Sequence, residues 1–143
     1  MLMPKIINIS YAQAESGDYP HPGDSYLIQI TDPGTPAPVT AHSYVAKHHF
    51  QFHDAEDNEG AGEFPFVPKK LITDAQALEI VRILELALFY KRHVIVHCHA
   101  GLCRSGAVAE VGVMMGFEDT KRVRMPNLLV KNKLKKVLGW TYE

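Results

Sequence analysis

Val94-Ile95-Val96-His97-Cys98-His99-Ala100-Gly101-Leu102-Cys103-Arg104-Ser105-Gly106 is the stretch on which the reading of this chain turns. The apolar run 94–96 has the character of a fully buried strand, and the apolar residues 106–115 begin a helix. Between them, Cys98 and Arg104 lie six positions apart on a glycine-containing loop. A strand–loop–helix junction is an anion site, because free backbone N–H groups and the positive end of the helix dipole converge there. A thiol in that cradle is favoured as thiolate, the reactive form of cysteine. An arginine six residues later can return over the loop and grip a phosphate with two parallel hydrogen bonds. Nucleophile, oxyanion donors and clamp thus come from one short loop, which is the equipment for phosphoryl transfer to sulfur.

Outward from this loop the chain alternates between strand and helix. Before it, Thr73 with Gln76 forms a capping box for a helix over 74–91. Leu78, Ile80, Val81, Ile83, Leu84, Leu86 and Leu88 make that helix apolar on nearly every face, so it is predicted to be deeply buried. Strands are predicted at 5–9, 25–31 and 48–53, the last with Phe50 and Phe52 on one face. Residues 12–25 read as loop, 39–47 as a short helical turn, and the acidic, Gly- and Pro-bearing stretch 54–70 as a long loop. After the signature come a helix over 105–115 ended by Gly116, a short helix over 118–124, and a last helix capped by Asn127. This order predicts one α/β domain over 1–143, with a mostly parallel sheet of four or five strands flanked by helices. The reactive loop falls between the last strand and the following helix, at the carboxyl end of the sheet.

At 143 residues the chain is long enough for one real core, and 46% hydrophobic with 22% charged residues is ordinary for a globular protein. A net charge of −1 gives no bulk attraction to nucleic acid or membranes. The two cysteines sit in one loop, which is no disulfide framework and fits a reducing compartment. Neither a signal peptide nor a membrane-spanning run is read, so a cytoplasmic monomer without a cofactor is expected. His97 and His99 on an extended segment point one way and Cys98 the other, so the three form no ready chelate and no metal is expected. The lysines at 131, 133, 135 and 136 read as the wet face of a helix.

His97, Cys98, Arg104 and Ser105 resemble the His-Cys-x5-Arg-Ser/Thr signature of the cysteine-dependent protein phosphatases. Ala100-Gly101 and Ser105-Gly106 are similar to the small dual-specificity-like members of compact prokaryotic and viral type. The order of Ile30-Thr31-Asp32-Pro33-Gly34, Phe50-Gln51-Phe52-His53-Asp54, a helix, the signature and Met125-Pro126-Asn127 is similar to that subgroup as well. The resemblance implies that Cys98 attacks phosphorus to give a phosphocysteine. It implies that the N–H groups from His99 through Ala100, Gly101, Leu102 and Cys103 to Arg104 hold the phosphate oxygens, with Arg104 clamping two. Ser105 would stabilise the departing thiolate, and His97 would hold the loop and favour that thiolate. A separate carboxylic acid would protonate the leaving oxygen and later activate water.

For that acid the resemblance implies Asp54, whose Phe-x-Asp context is similar to that of the small relatives, and a spacing to Cys98 longer than theirs keeps Asp57 as the second choice, with an insertion in 57–65. Asp74 belongs to the first turn of its helix, and the remaining acidic residues read as a solvated loop. Cys103 departs from the small residue usual at its position. It is either a packed small thiol or a redox partner that closes a reversible disulfide with Cys98. His99 is either on the pocket rim or simply exposed. The expected substrate is a phosphorylated protein, hydrolysed at phosphotyrosine and, through a shallow pocket, at phosphoserine or phosphothreonine. The other readings are an idle phosphate-binding module, a phosphatase of small molecules or RNA 5′-phosphates, and a rhodanese-type sulfur carrier.

Overall fold

The computed structural model describes residues 3–57 and 68–140. Five strands, β1 (Lys5–Ser10), β2 (Ser25–Thr31), β3 (Ala46–Gln51), β4 (His93–Cys98) and β5 (Glu118–Asp119), form one sheet in the order β3-β2-β4-β1-β5. Every neighbouring pair is parallel, so the carboxyl ends of β1, β2, β3 and β4 open on one edge. Among the described residues there are four helices, α1 (Tyr11–Ser16), α2 (Asp74–Tyr90), α3 (Arg104–Met115) and α4 (Leu128–Val137).

Strand side chains alternate between two cores. Ile6, Ile28, Ile30, Val94 and Val96 face α2, α3 and α4 in the larger one, together with Phe50 and Phe52. Ile7, Ile9, Leu27 and Ile95 face the other way, against Ala14 and Tyr19. Coverage of both faces is why 26–28 in β2 and 94–96 in β4 run apolar without alternation. Complete burial of a residue such as Phe52 or Leu84 contributes about 1.5–3 kcal/mol relative to exposure.

The expected boundaries hold closely for β1, β2, α2 and α3, and the Thr73–Gln76 capping box forms in both directions. Four expectations are corrected. The stretch 12–25 contains α1, capped by a reciprocal Ser10–Gln13 box. The stretch 39–47 forms bends leading into β3 rather than a helical turn. Residues 118–124 are not helical, because Glu118 and Asp119 pair beside Lys5 and Ile6, making β5 rather than β4 the last strand. Finally, α2 buries Ala77, Ile80, Val81, Ile83, Leu84 and Ala87, but exposes Leu78, Leu86 and Phe89. A single helical layer has one face against the sheet, so its remaining apolar residues meet water. The insertion expected in 57–65 lies almost wholly outside the described residues.

Candidate active site

The strand β4 carries Cys98 to the carboxyl edge, where Ser10 of β1 is its register partner. The next residues return to the sheet before α3 starts at Arg104. Four carbonyls of this loop are tied outward to other segments. Tyr11 N–H donates to the His99 carbonyl (3.1 Å), Met125 N–H to Leu102 (2.9 Å) and Asn127 N–H to Cys103 (3.0 Å). The fourth, on Gly101, accepts from Asn8 Nδ2 at 2.8 Å. In a trans peptide the carbonyl of one residue and the N–H of the next point in opposite directions. Tying these carbonyls to other segments therefore turns the N–H groups of Ala100, Leu102, Cys103 and Arg104 away from those partners. The loop passes so close to β1 that a Cβ on Gly101 would lie 2.5 Å from the Ile9 carbonyl carbon, and its φ of 77° is itself a glycine conformation.

Cys98 is buried, and its Sγ lies 3.1 Å from the Ser105 Oγ in the first turn of α3. The Arg104 side chain is 4% exposed. Its Nη1 donates to Asp32 Oδ1 (2.8 Å) and to the Phe52 carbonyl (2.7 Å), while its buried Nε has no protein partner. His97 projects to the opposite face from Cys98, where its Nε2 is 3.3 Å from Gln29 Oε1 and Tyr11 packs edge-on against the ring. Burial, with His49 nearby, lowers the His97 pKa to about 4, so the ring is neutral at neutral pH.

Above the loop is a cavity of about 280 Å³ whose lining includes Cys98, His99, Ala100, Cys103, Arg104, Asp54 and Asp32. Asp54 is itself exposed, and its Oδ1 accepts a 2.9 Å bond from Asn127 Nδ2. The segment carrying it is pinned at both ends, since His53 N–H donates to the Lys70 carbonyl and Lys70 N–H donates to His53 Nδ1. Cys103 is half-buried, and burial together with the adjacent Asp54 carboxylate pushes its thiol pKa up.

No protein-family model and no curated protein matches the sequence. Solved structures do. The human tyrosine phosphatase-like serine/threonine/tyrosine-interacting protein is similar at 16% identity and a TM-score of 0.63, over 96% of this chain and 93% of that one. Human DUSP28 is similar at 17% identity and a TM-score of 0.59, over 94% and 91%. OH1 from the Orf virus, a tyrosine phosphatase, gives 15% identity and a TM-score of 0.54, over 95% and 83%. The fold is that of the dual-specificity and tyrosine phosphatases.

Within this phosphatase fold, Cys98, Arg104 and Asp54 meet at one cavity, His99, Ala100 and Cys103 share its wall, and the buried Ser105 hydroxyl lies against Cys98. His99 is exposed there. Gly101 and Leu102 instead line a neighbouring cavity with Lys121 and Arg122. Asp57 is exposed and lines none of the described cavities around the loop. Among the described residues no group of three or more His, Cys, Asp or Glu is placed to hold a metal ion. No described helix is long and apolar enough to cross a membrane.

Three residues at the site carried no functional reading in the sequence. Asp32 and Asn127 stand in the sequence only within the segments 30–34 and 125–127, Asn127 also as a helix cap, and Asn8 is an ordinary strand residue. The cap was the one available signal, because a polar residue required at a helix start is free to use its second amide atom elsewhere.

Proposed function

We propose that this chain is a cysteine-dependent phosphomonoester hydrolase acting on phosphorylated proteins, at phosphotyrosine and also at phosphoserine or phosphothreonine. The observation that carries this reading is the tethering of four loop carbonyls to other segments, which turns the N–H groups of Ala100, Leu102, Cys103 and Arg104 away from those partners, in the loop that joins Cys98 to the unpartnered Nε of Arg104. Tetrahedral phosphate is the anion such a ring of donors fits. Cys98 Sγ attacks phosphorus as the ester P–O bond breaks, and Asp54 delivers a proton to the leaving oxygen. Water then attacks the phosphocysteine, Asp54 takes up its proton, and the S–P bond breaks to return the thiolate beside the Ser105 hydroxyl. His97, neutral and buried on the far face, supports the loop without reaching substrate.

Hydrolysis of an aryl phosphate by wild type, Cys98→Ser and Asp54→Ala tests this. Cys98→Ser is expected to abolish turnover, and Asp54→Ala to slow it about 10²-fold, the lower end of what a positioned acid contributes. A Cys98→Ser variant that still turns over would refute the mechanism. The second reading is a phosphate-binding module, in keeping with the phosphatase-like interacting protein among the structural neighbours. It would be supported by a wild type that binds phosphopeptide without hydrolysing it.

A further inference from the structure

We infer that the outward face of α2 is a self-association surface, on which a second copy of this chain docks its own α2, antiparallel, about a two-fold axis. The helix buries Ala77, Ile80, Val81, Ile83, Leu84 and Ala87 on one side, in the larger core. On the opposite side Leu78, Arg82, Glu85 and Phe89 follow one another at steps of four, three and four residues. That is the spacing of a seam along which two helices pack. All four are exposed, Phe89 at 78% and Leu78 at 43%, and the exposed Leu86 flanks them. An apolar stripe left in water after the core is filled marks an interaction site.

The order of the side chains says what covers the stripe. Leu78 and Phe89 lie equally far from the midpoint between Ile83 and Leu84, and so do Arg82 and Glu85. A second α2 laid antiparallel across this midpoint therefore sets each Leu78 on a Phe89 ring. It also sets each Arg82 opposite a Glu85, so every charge on the seam is matched, as a self-complementary interface requires. A parallel pair would instead oppose arginine to arginine and glutamate to glutamate. Within one chain Arg82 Nη1 is 3.8 Å from Glu85 Oε1, with both side chains largely in water. Such a surface pair contributes little and is free to exchange partners. The Phe89 ring stands edge-on to Tyr90 with centroids 5.0 Å apart, which limits the side-chain freedom lost on docking. An unrelated partner would have to supply the complementary charges, whereas a second copy carries them by sequence. This dimer stands in place of the monomer expected from the sequence.

The experiment is sedimentation velocity of the full-length protein and its variants from micromolar to millimolar concentration, with far-UV circular dichroism as the check on folding. The wild type is expected to reach a species of twice its 16.0 kDa chain mass. Phe89→Lys removes an apolar contact from both ends of the interface and should stay monomeric throughout. Arg82→Glu and Glu85→Arg each bring like charges face to face twice, and should each raise the dissociation constant by more than about tenfold. The double variant carrying both changes restores the facing pairs, and its dissociation constant should return to within about threefold of wild type. Loss in each single variant with recovery in the double, at unchanged helical content, supports the docking. A wild type that stays monomeric overturns it and assigns the face to a different partner. A dimer that persists in Phe89→Lys also overturns it, because another face must then hold the two copies. Equal loss in the single and double variants overturns the two-fold register on which the proposal stands.

Discussion

Asn127 gives the sharpest test of how the acid is held, because its two ends do different jobs. Its Oδ1 accepts from Val130 N–H at 3.0 Å and caps α4. Its Nδ2 donates to Asp54 Oδ1 at 2.9 Å and to the Ala55 carbonyl at 3.2 Å. Its backbone N–H, which no substitution short of proline removes, holds the Cys103 carbonyl. The residue is 4% exposed, so water does not readily replace any of these bonds. Asn127→Ala removes both side-chain functions. Losing the cap costs about 1 kcal/mol of stability. Losing the tether frees Asp54, and a hydrogen bond to a carboxylate, discounted for the exposure of Asp54, is worth about 1 kcal/mol. At about 1.4 kcal/mol per tenfold, that is a roughly fivefold fall in the fraction of molecules with the acid in place.

Asn127→Ser separates the two functions. Serine caps a helix about as well as asparagine, so stability should remain within a few tenths of a kcal/mol of that cap. It is too short to hold Val130 N–H and Asp54 together, so the tether is lost while the cap stays. The assay is kcat/KM, which reports formation of the phosphocysteine, over aryl phosphates with leaving phenols of graded acidity. A phenolate that leaves readily needs no proton, whereas a poor leaving group does. Asn127→Ser should therefore slow the poor leaving groups about fivefold and leave the good ones near wild type. A uniform loss across the series would refute this account, because it would place the defect in the Cys98–Arg104 loop rather than in the acid.

Three further substitutions test the loop, the core beside it and the buried His97. Gly101→Ala sets a Cβ 2.5 Å from a backbone carbonyl carbon at φ 77°, so it is expected to abolish tungstate binding. Gly112→Ala meets only the flexible tip of Ile6 at a similar distance and should keep most of its activity, which controls for helix and core effects. His97 stays neutral in the folded chain down to about pH 4, whereas the unfolded chain titrates it near 6.5. The unfolded state therefore binds the extra proton between those values, so stability is intact above about pH 6.5 and falls as pH drops toward 4, by about 3 kcal/mol from this group. Urea unfolding at pH 7 and 4.5 should show a gap smaller by about 2 kcal/mol in His97→Gln, and an unchanged gap would contradict the assignment.

The reactive loop was legible because everything it needs is contiguous. Cys98, Arg104 and Ser105 lie within one turn of chain, and a buried strand before them with an apolar helix after them fixes where that turn must sit. Helix α2 was legible at its start, through Thr73 and Gln76, but not in its burial. An apolar count cannot say that Leu86 and Phe89 lie on the side away from the sheet. The helix α1 carried the same kind of box, Ser10 with Gln13, yet its six residues and the Gly17-Asp18 stop hid the pattern inside a loop-like stretch. Two paired residues are too few for β5 to show any period at all.

The supports of the site were hidden for a different reason. Asp32 reaches Arg104 across 72 positions of chain, Asn127 reaches Asp54 across 73, and Asn8 reaches Gly101 across 93. Asp32 and Asn127 are short polar residues at a strand or helix end, where such residues are common for local reasons, and Asn8 lies inside β1. What distinguishes them is the parallel sheet, which brings the carboxyl ends of β1, β2, β3 and β4 to one edge. Once that topology is assigned, the residues just past each strand become neighbours whatever their separation in sequence. Ser10 and Tyr11, Asp32, Phe52 to Asp54 and Cys98 then form one rim. A search for chemistry in this chain is therefore better directed at strand ends than at acidic runs, since Asp32, one residue past β2, touches Arg104 while the exposed Asp57 lines none of the described cavities around the loop.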